Sequence, residues 1–105
     1  MSLFDLEVVP RELTPKEKFE EFHRDNPHVY RELRQLALDL VEFGHERIGI
    51  GMLFEVLRWQ RALRTTDDDF KLNNNYRARY ARLLMEREPR LAGKFEIRQI
   101  NEGDA

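Results

Sequence analysis

Cysteine is absent from this chain of 105 residues, and serine occurs once, at Ser2. The first absence excludes a disulfide frame, a thiolate metal site and a thiol nucleophile. The second leaves no serine placed for activation. A chain without thiols also fits a reducing compartment, so a cytoplasmic location is expected. No apolar run approaches the roughly 18–20 residues of a membrane span, so no membrane association is expected. The opening stretch "MSLFDLEVVPRELTP" carries Asp5, Glu7 and Glu12 and has no basic leader, which argues against a signal peptide.

Histidine is scarce too. His23, His28 and His45 are not spaced i,i+4 from one another, and no HExxH occurs. Surface or capping roles suit them better than metal ligation, so no metal or cofactor is expected. Gly49-Ile50-Gly51 lacks the third glycine of a dinucleotide loop and the lysine of a Walker loop, and marks a change of element instead. Asp67-Asp68-Asp69 is an acidic triple of the kind found in magnesium-dependent nucleases. Consecutive carboxylates seldom point at one ion, and the EF-hand spacing is missing. A solvated loop is the plainer reading, and a nuclease using this triple with one histidine stands as the weaker alternative. The sequence therefore favours a non-enzymatic protein.

Charge is plentiful, with 36% Asp, Glu, Lys and Arg and a net charge of −2. It is unevenly spread. Residues 1–57 hold 7 Lys/Arg against 12 Asp/Glu, whereas residues 58–105 hold 11 against 8. A polyanion, if bound, meets the second half.

One domain with one core suits this length. Residues 1–13 alternate weakly through Leu3, Phe4, Leu6, Val8 and Val9 up to Pro10, and an N-terminal arm or a short edge strand is expected there. Residues 14–100 form a single mainly helical domain, and 101–105 a flexible tail. Thr14, Pro15 and Glu17 make a capping box and predict a helix over 15–24. Asn26 as cap, Pro27 as first residue and the stripe Val29, Leu33, Leu36, Ala37, Leu40, Val41 predict a helix over 27–43, stopped by Gly44. A short strand is expected near 47–50. The next helix, 51–63, is apolar on two sides: Leu53, Phe54 and Leu57 on one, Met52, Val56, Trp59 and Leu63 on the other. Such a helix is expected at the centre of the packing. Asn73 or Asn74 caps a last helix over 75–87, bounded by Pro89. "KFEIRQI" alternates as a strand over 95–100. The fold class is thus mainly α with minor β. It is a small four-helix domain whose order permits a winged-helix or helix-turn-helix arrangement. The long 64–72 connection and the single convincing strand at the end count against that arrangement.

The last helix is the candidate site. On a helical wheel Tyr76, Tyr80, Leu83 and Leu84 make one apolar arc, with Arg79 and Arg82 away from it, Glu86 between them and Arg77 at the rim. Helix N-termini favour phosphate, and Asn and Arg match base edges. Asn74, Arg77, Arg79 and Arg82 are therefore the candidate nucleic-acid-binding residues. Caps, core and solubility explain the same residues without a ligand.

Several motifs occur together: Phe22-His23 with Asn26-Pro27, Glu55 with Leu57-Arg58-Trp59, Phe70-Lys71-Leu72-Asn73-Asn74, Tyr80-Ala81-Arg82, and Phe95-Glu96 with Arg98. The set resembles a group of small bacterial proteins encoded by phages, prophages and their hosts, over about residues 17–98. The resemblance implies a phage-like genetic context and a soluble intracellular protein. It carries no established activity, cofactor or site residue with it. The expectation is a small DNA-binding or regulatory protein of phage type, with duplex DNA as its partner. The alternative is a protein-interaction or assembly module, pairing with a second copy of the chain or with a phage or host protein. Its motive is aromatic excess, since Tyr30, Phe43 and Trp59 do not all fit one small core.

Overall fold

The computed structural model describes residues 12–66 and 72–96. Among these are four α-helices: α1 (Pro15–Asp25), α2 (Pro27–Phe43), α3 (Ile50–Ala62) and α4 (Arg77–Arg87). Two 3-10 turns, Asn74–Tyr76 and Pro89–Leu91, flank α4. The expected arm up to residue 11, the tail over 101–105, the acidic triple at 67–69 and positions 97–100 lie outside the described residues. Among the described residues no helix is long and apolar enough to cross a membrane.

α1 starts as its capping box requires. The Thr14 hydroxyl accepts from the Glu17 backbone N–H at 3.1 Å, and the Glu17 carboxylate accepts from the Thr14 N–H at 2.9 Å. Pro27 drives the preceding residue out of the helical region, and Asn26 sits at φ −131°, ψ 60°. The role expected of Asn26 is corrected here. Its side chain makes no capping bond to α2; its Nδ2 donates backwards to the Phe22 carbonyl at 3.0 Å. Asn26 thus closes α1, and Pro27 takes the first position of α2, where a backbone N–H would have no partner within the helix.

α2 ends at Gly44, whose φ of +114° and ψ of 6° turn the chain back. The Gly44 N–H donates to the Leu40 and Val41 carbonyls and the His45 N–H to the Leu40 carbonyl, satisfying the free carbonyls of the last turn. The packed face of α2 is turned from the expected one. Val29, Leu33, Ala37 and Leu38 are buried, while Leu36 and Leu40 lie at the edge of the core. The reason is that α2 packs against α3, α4 and the 89–91 turn together, so its covered arc extends round to Leu38, with Arg34 partly covered beside it.

The expected strand at 47–50 reduces to one parallel bridge between Ile48 and Phe95. The Ile48 N–H donates to the Lys94 carbonyl at 2.9 Å, and both Ile48 and Phe95 are buried. Of the expected 95–100 strand only its first two residues fall among those described. The bridge ties the start of α3 to the segment after α4.

α3 packs on one side alone. Leu53, Phe54 and Leu57 are buried, whereas Met52, Trp59 and Leu63 remain 51%, 64% and 67% exposed. The expected central position is therefore half right: one apolar face of α3 is core and the other is bare. Phe43 is exposed as well. The core is completed by Leu72, Tyr80, Ala81, Leu84 and Leu91.

Candidate nucleic-acid interface

Asn73 opens the segment by accepting the Asn75 N–H on its side chain at 2.8 Å, which starts the 3-10 turn ahead of α4. Tyr80, Ala81 and Leu84 face the core, so periodicity sends Arg79 and Arg82 outward with Glu86. Arg82 is exposed and Arg79 partly covered.

The four candidate residues are not equivalent. The Asn74 side-chain oxygen is taken up by the Arg58 guanidinium, which also bonds the Leu72 carbonyl at 2.7 Å and the Glu55 carboxylate. Arg58 is thus the clamp that fixes the start of the α4 segment against α3, and Asn74 is part of that clamp rather than a free base-reading group. Its pairing with Glu55 is legible in the i,i+3 spacing; its reach to Leu72 and Asn74 is not.

Arg77 donates from Nε to the Asn74 carbonyl at 3.2 Å. Its guanidinium lies over Gly51, where an added Cβ would come within 3.2 Å of Nη1. Glycine at 51 makes that approach possible. The consequence is electrostatic: a cation rests at the positive end of the α3 dipole, and Gly49 offers no side chain to cap that end. A cavity of about 350 Å³ lies alongside, and Asn74, Asn75, Arg77 and Glu96 are among the residues that line it. Glu96 is itself paired loosely with Arg47 at 3.7 Å.

Among the described residues six arginines form ion pairs with carboxylates: Arg24 with Asp25, Arg34 and Arg90 with Glu88, Arg47 with Glu96, Arg58 with Glu55 and Arg64 with Glu32. Arg77, Arg79 and Arg82 have no such partner among the described residues. Glu88 binds Arg34 at 2.8 Å and 3.0 Å through one oxygen. Burial alone would raise its carboxyl, but the bonds from Arg34 and from the Arg90 backbone, with both guanidinium charges, hold it below the usual carboxylate range.

The histidines have different surroundings. His23 packs in an aromatic cluster with Phe19, Tyr30 and Tyr80. His28 lines a small cavity with Glu32 and Arg64, and His45 stacks on Phe43. Among the described residues no three His, Asp or Glu side chains are grouped to hold a metal ion. Tyr80 is fully buried, and its hydroxyl has no hydrogen-bond partner among the described residues. Burial, and next to it Tyr76, push that hydroxyl well above the usual tyrosine range, so it stays protonated. No protein-family model, no curated protein and no solved structure matches this chain.

Proposed function

We propose that the chain is a small non-enzymatic DNA-binding or regulatory protein of the phage type its motif set resembles. The DNA-facing surface is α4, presented with Arg79 and Arg82 outward and Arg77 at its start. One observation carries this reading: in a chain of net charge −2 in which six arginines lie against carboxylates, Arg77, Arg79 and Arg82, at the start and outer face of α4, have no carboxylate partner among the described residues, as Arg31 and Arg87 also do not. Unpaired guanidinium groups spaced along one helix are suited to phosphate oxygens. The cation over the bare start of α3 supports the same reading, because a phosphate there relieves an unfavourable pairing of like charges. On this reading α4 serves as the recognition helix of a reduced winged helix, an arrangement that the order α2, Ile48 bridge, α3, α4, Phe95 permits. Glu86 shares the outer face and keeps the contact to a few phosphates.

Three phosphate contacts imply a slope of about −3 in log K against log salt. Fluorescence anisotropy of a labelled duplex, titrated at salt from about 50 mM to about 200 mM, measures that slope. Arg79→Gln and Arg82→Gln should each flatten it by roughly 1. Absence of binding at the lowest salt, or binding that both variants leave untouched, would refute the proposal.

A further inference from the structure

The bare side of α3 is an organised surface. Met52, Val56, Trp59 and Leu63 follow one another at spacings of 4, 3 and 4, the repeat of a helix-pairing seam. Met52, Trp59 and Leu63 are exposed and Val56 is partly covered. The opposite side of the same helix is fully engaged through Leu53, Phe54 and Leu57. Singly scattered apolar residues are ordinary on a surface; a continuous seam with a tryptophan at its middle is not.

We propose that a second copy of this chain covers this seam, the two α3 helices running antiparallel about a two-fold axis between Val56 and Trp59. Size complementarity argues for that occupant. A two-fold axis at this point sets Trp59, the largest side chain, against Val56, the smallest, and Met52 against Leu63. Each contact then occurs twice, as an isologous interface requires. Charge permits it. The residues beside the seam are Ala62, Gln60 and Glu55, and Glu55 is already neutralised by Arg58 on its own helix. The opposed helix dipoles add no repulsion. Area sets the strength. An exposed aromatic buries ~150–250 Å², so one seam with its rim offers on the order of 500 Å² per copy, about 1,000 Å² in total. That lies in the range of weak, reversible association. The dimer is therefore a micromolar, concentration-dependent one. It stands independently of DNA binding, since it uses none of the α4 arginines.

Trp59 is the chain's sole tryptophan, so its fluorescence reports this surface alone. As concentration rises through the micromolar range, its emission should shift to shorter wavelength and acrylamide quenching should fall. Over the same range sedimentation equilibrium should show the mass rising from 12.7 kDa towards twice that value. Leu63→Glu, at an exposed position, should weaken association by at least about tenfold and leave Trp59 quenchable. The absence of native cysteine allows a test of register. Positions 52 and 63 lie about 16 Å apart on one helix and cannot bridge within a chain. Combined Met52→Cys and Leu63→Cys should cross-link two copies on mild oxidation, and either change alone should not. Three results would overturn the proposal: a monomer at every concentration with Trp59 open to quencher, which leaves the seam to a different protein; a monomer with Trp59 already shielded, which assigns it to the chain's own segments; or efficient cross-linking by Met52→Cys alone, which means a parallel pair.

Discussion

Leu33→Ala tests the packing at its centre. Leu33 is fully buried on α2, where that helix meets α3 and α4. The change removes three carbons, worth ~0.8 kcal/mol each in transfer from water, or about 2.4 kcal/mol. A cavity term follows because the core is built from several helices and turns that cannot all close in. Buried Leu→Ala changes cost ~2–5 kcal/mol in total. At roughly 4–8 °C per kcal/mol for a domain near this size, the melting midpoint should fall by roughly 8–40 °C. Leu36 lies at the edge of the core, and its truncation should cost less than about 2 kcal/mol. Thermal unfolding of both variants by far-UV circular dichroism, at a protein concentration low enough to keep the chain monomeric, makes the comparison. A Leu36→Ala loss equal to or larger than that of Leu33→Ala would mean that α2 is rotated from the register described above, and the argument for Arg34 would fall with it.

Arg34→Ala removes the partner that holds Glu88 at the end of α4, so it should lower the midpoint more than Arg31→Ala at an exposed position of the same helix; equal shifts would deny the ion pair a structural role. Burial first, and the Arg87 charge second, hold the His23 pKa below its ordinary 6.5. The unfolded chain therefore takes up the proton more readily, so stability is full above about pH 6.5 and declines as pH falls through that value towards the folded one. His23→Phe should flatten the decline between about pH 7.5 and about pH 5.5, and an unchanged slope would assign it to other groups. Glu88 acts in a separate window: its stabilising ionisation is lost only below the ordinary carboxylate value of 4.5. Gly44→Ala meets no atom within 4 Å, so its cost is that of the left-handed backbone alone, about 1–2 kcal/mol, and a neutral result would contradict the positive φ.

Features that one segment decides for itself are legible in this sequence. Thr14, Pro15 and Glu17 state the start of α1, and Gly44 states the end of α2, because the groups that satisfy each other lie within a few residues. The four helices follow from apolar periodicity for the same reason. The register of the α2 face did not follow. A stripe centred between Leu33 and Leu36 assumes one neighbour, whereas α2 has several, and only folding reveals that Leu38 is buried and that Arg34 is drawn to Glu88. Asn26 shows a subtler limit. Between two helices a single asparagine can close the first or open the second, and the sequence before Pro27 looks the same in both cases. Here its amide nitrogen donates to the Phe22 carbonyl, and its side chain makes no capping bond to α2.

The candidate site divides along the same line. Arg79, Arg82 and Glu86 share an outward face because helical geometry and the buried Tyr80, Ala81 and Leu84 leave them no other. Asn74 looked equally free beside them, yet Arg58, sixteen residues away, binds it. The two apolar sides of α3 carry the lesson further. Leu53-Phe54-Leu57 and Met52-Val56-Trp59-Leu63 are alike in composition, and periodicity gives no ground for ranking them. A domain with four short helices can wrap α3 on one side only, because α2 and α4 pack against that side together and nothing among the described residues reaches the other. The choice is made by the number of partners in the fold. The seam left over is therefore a property of the whole domain, and mutations at Met52, Trp59 and Leu63 can alter association while the core that displays them stays intact.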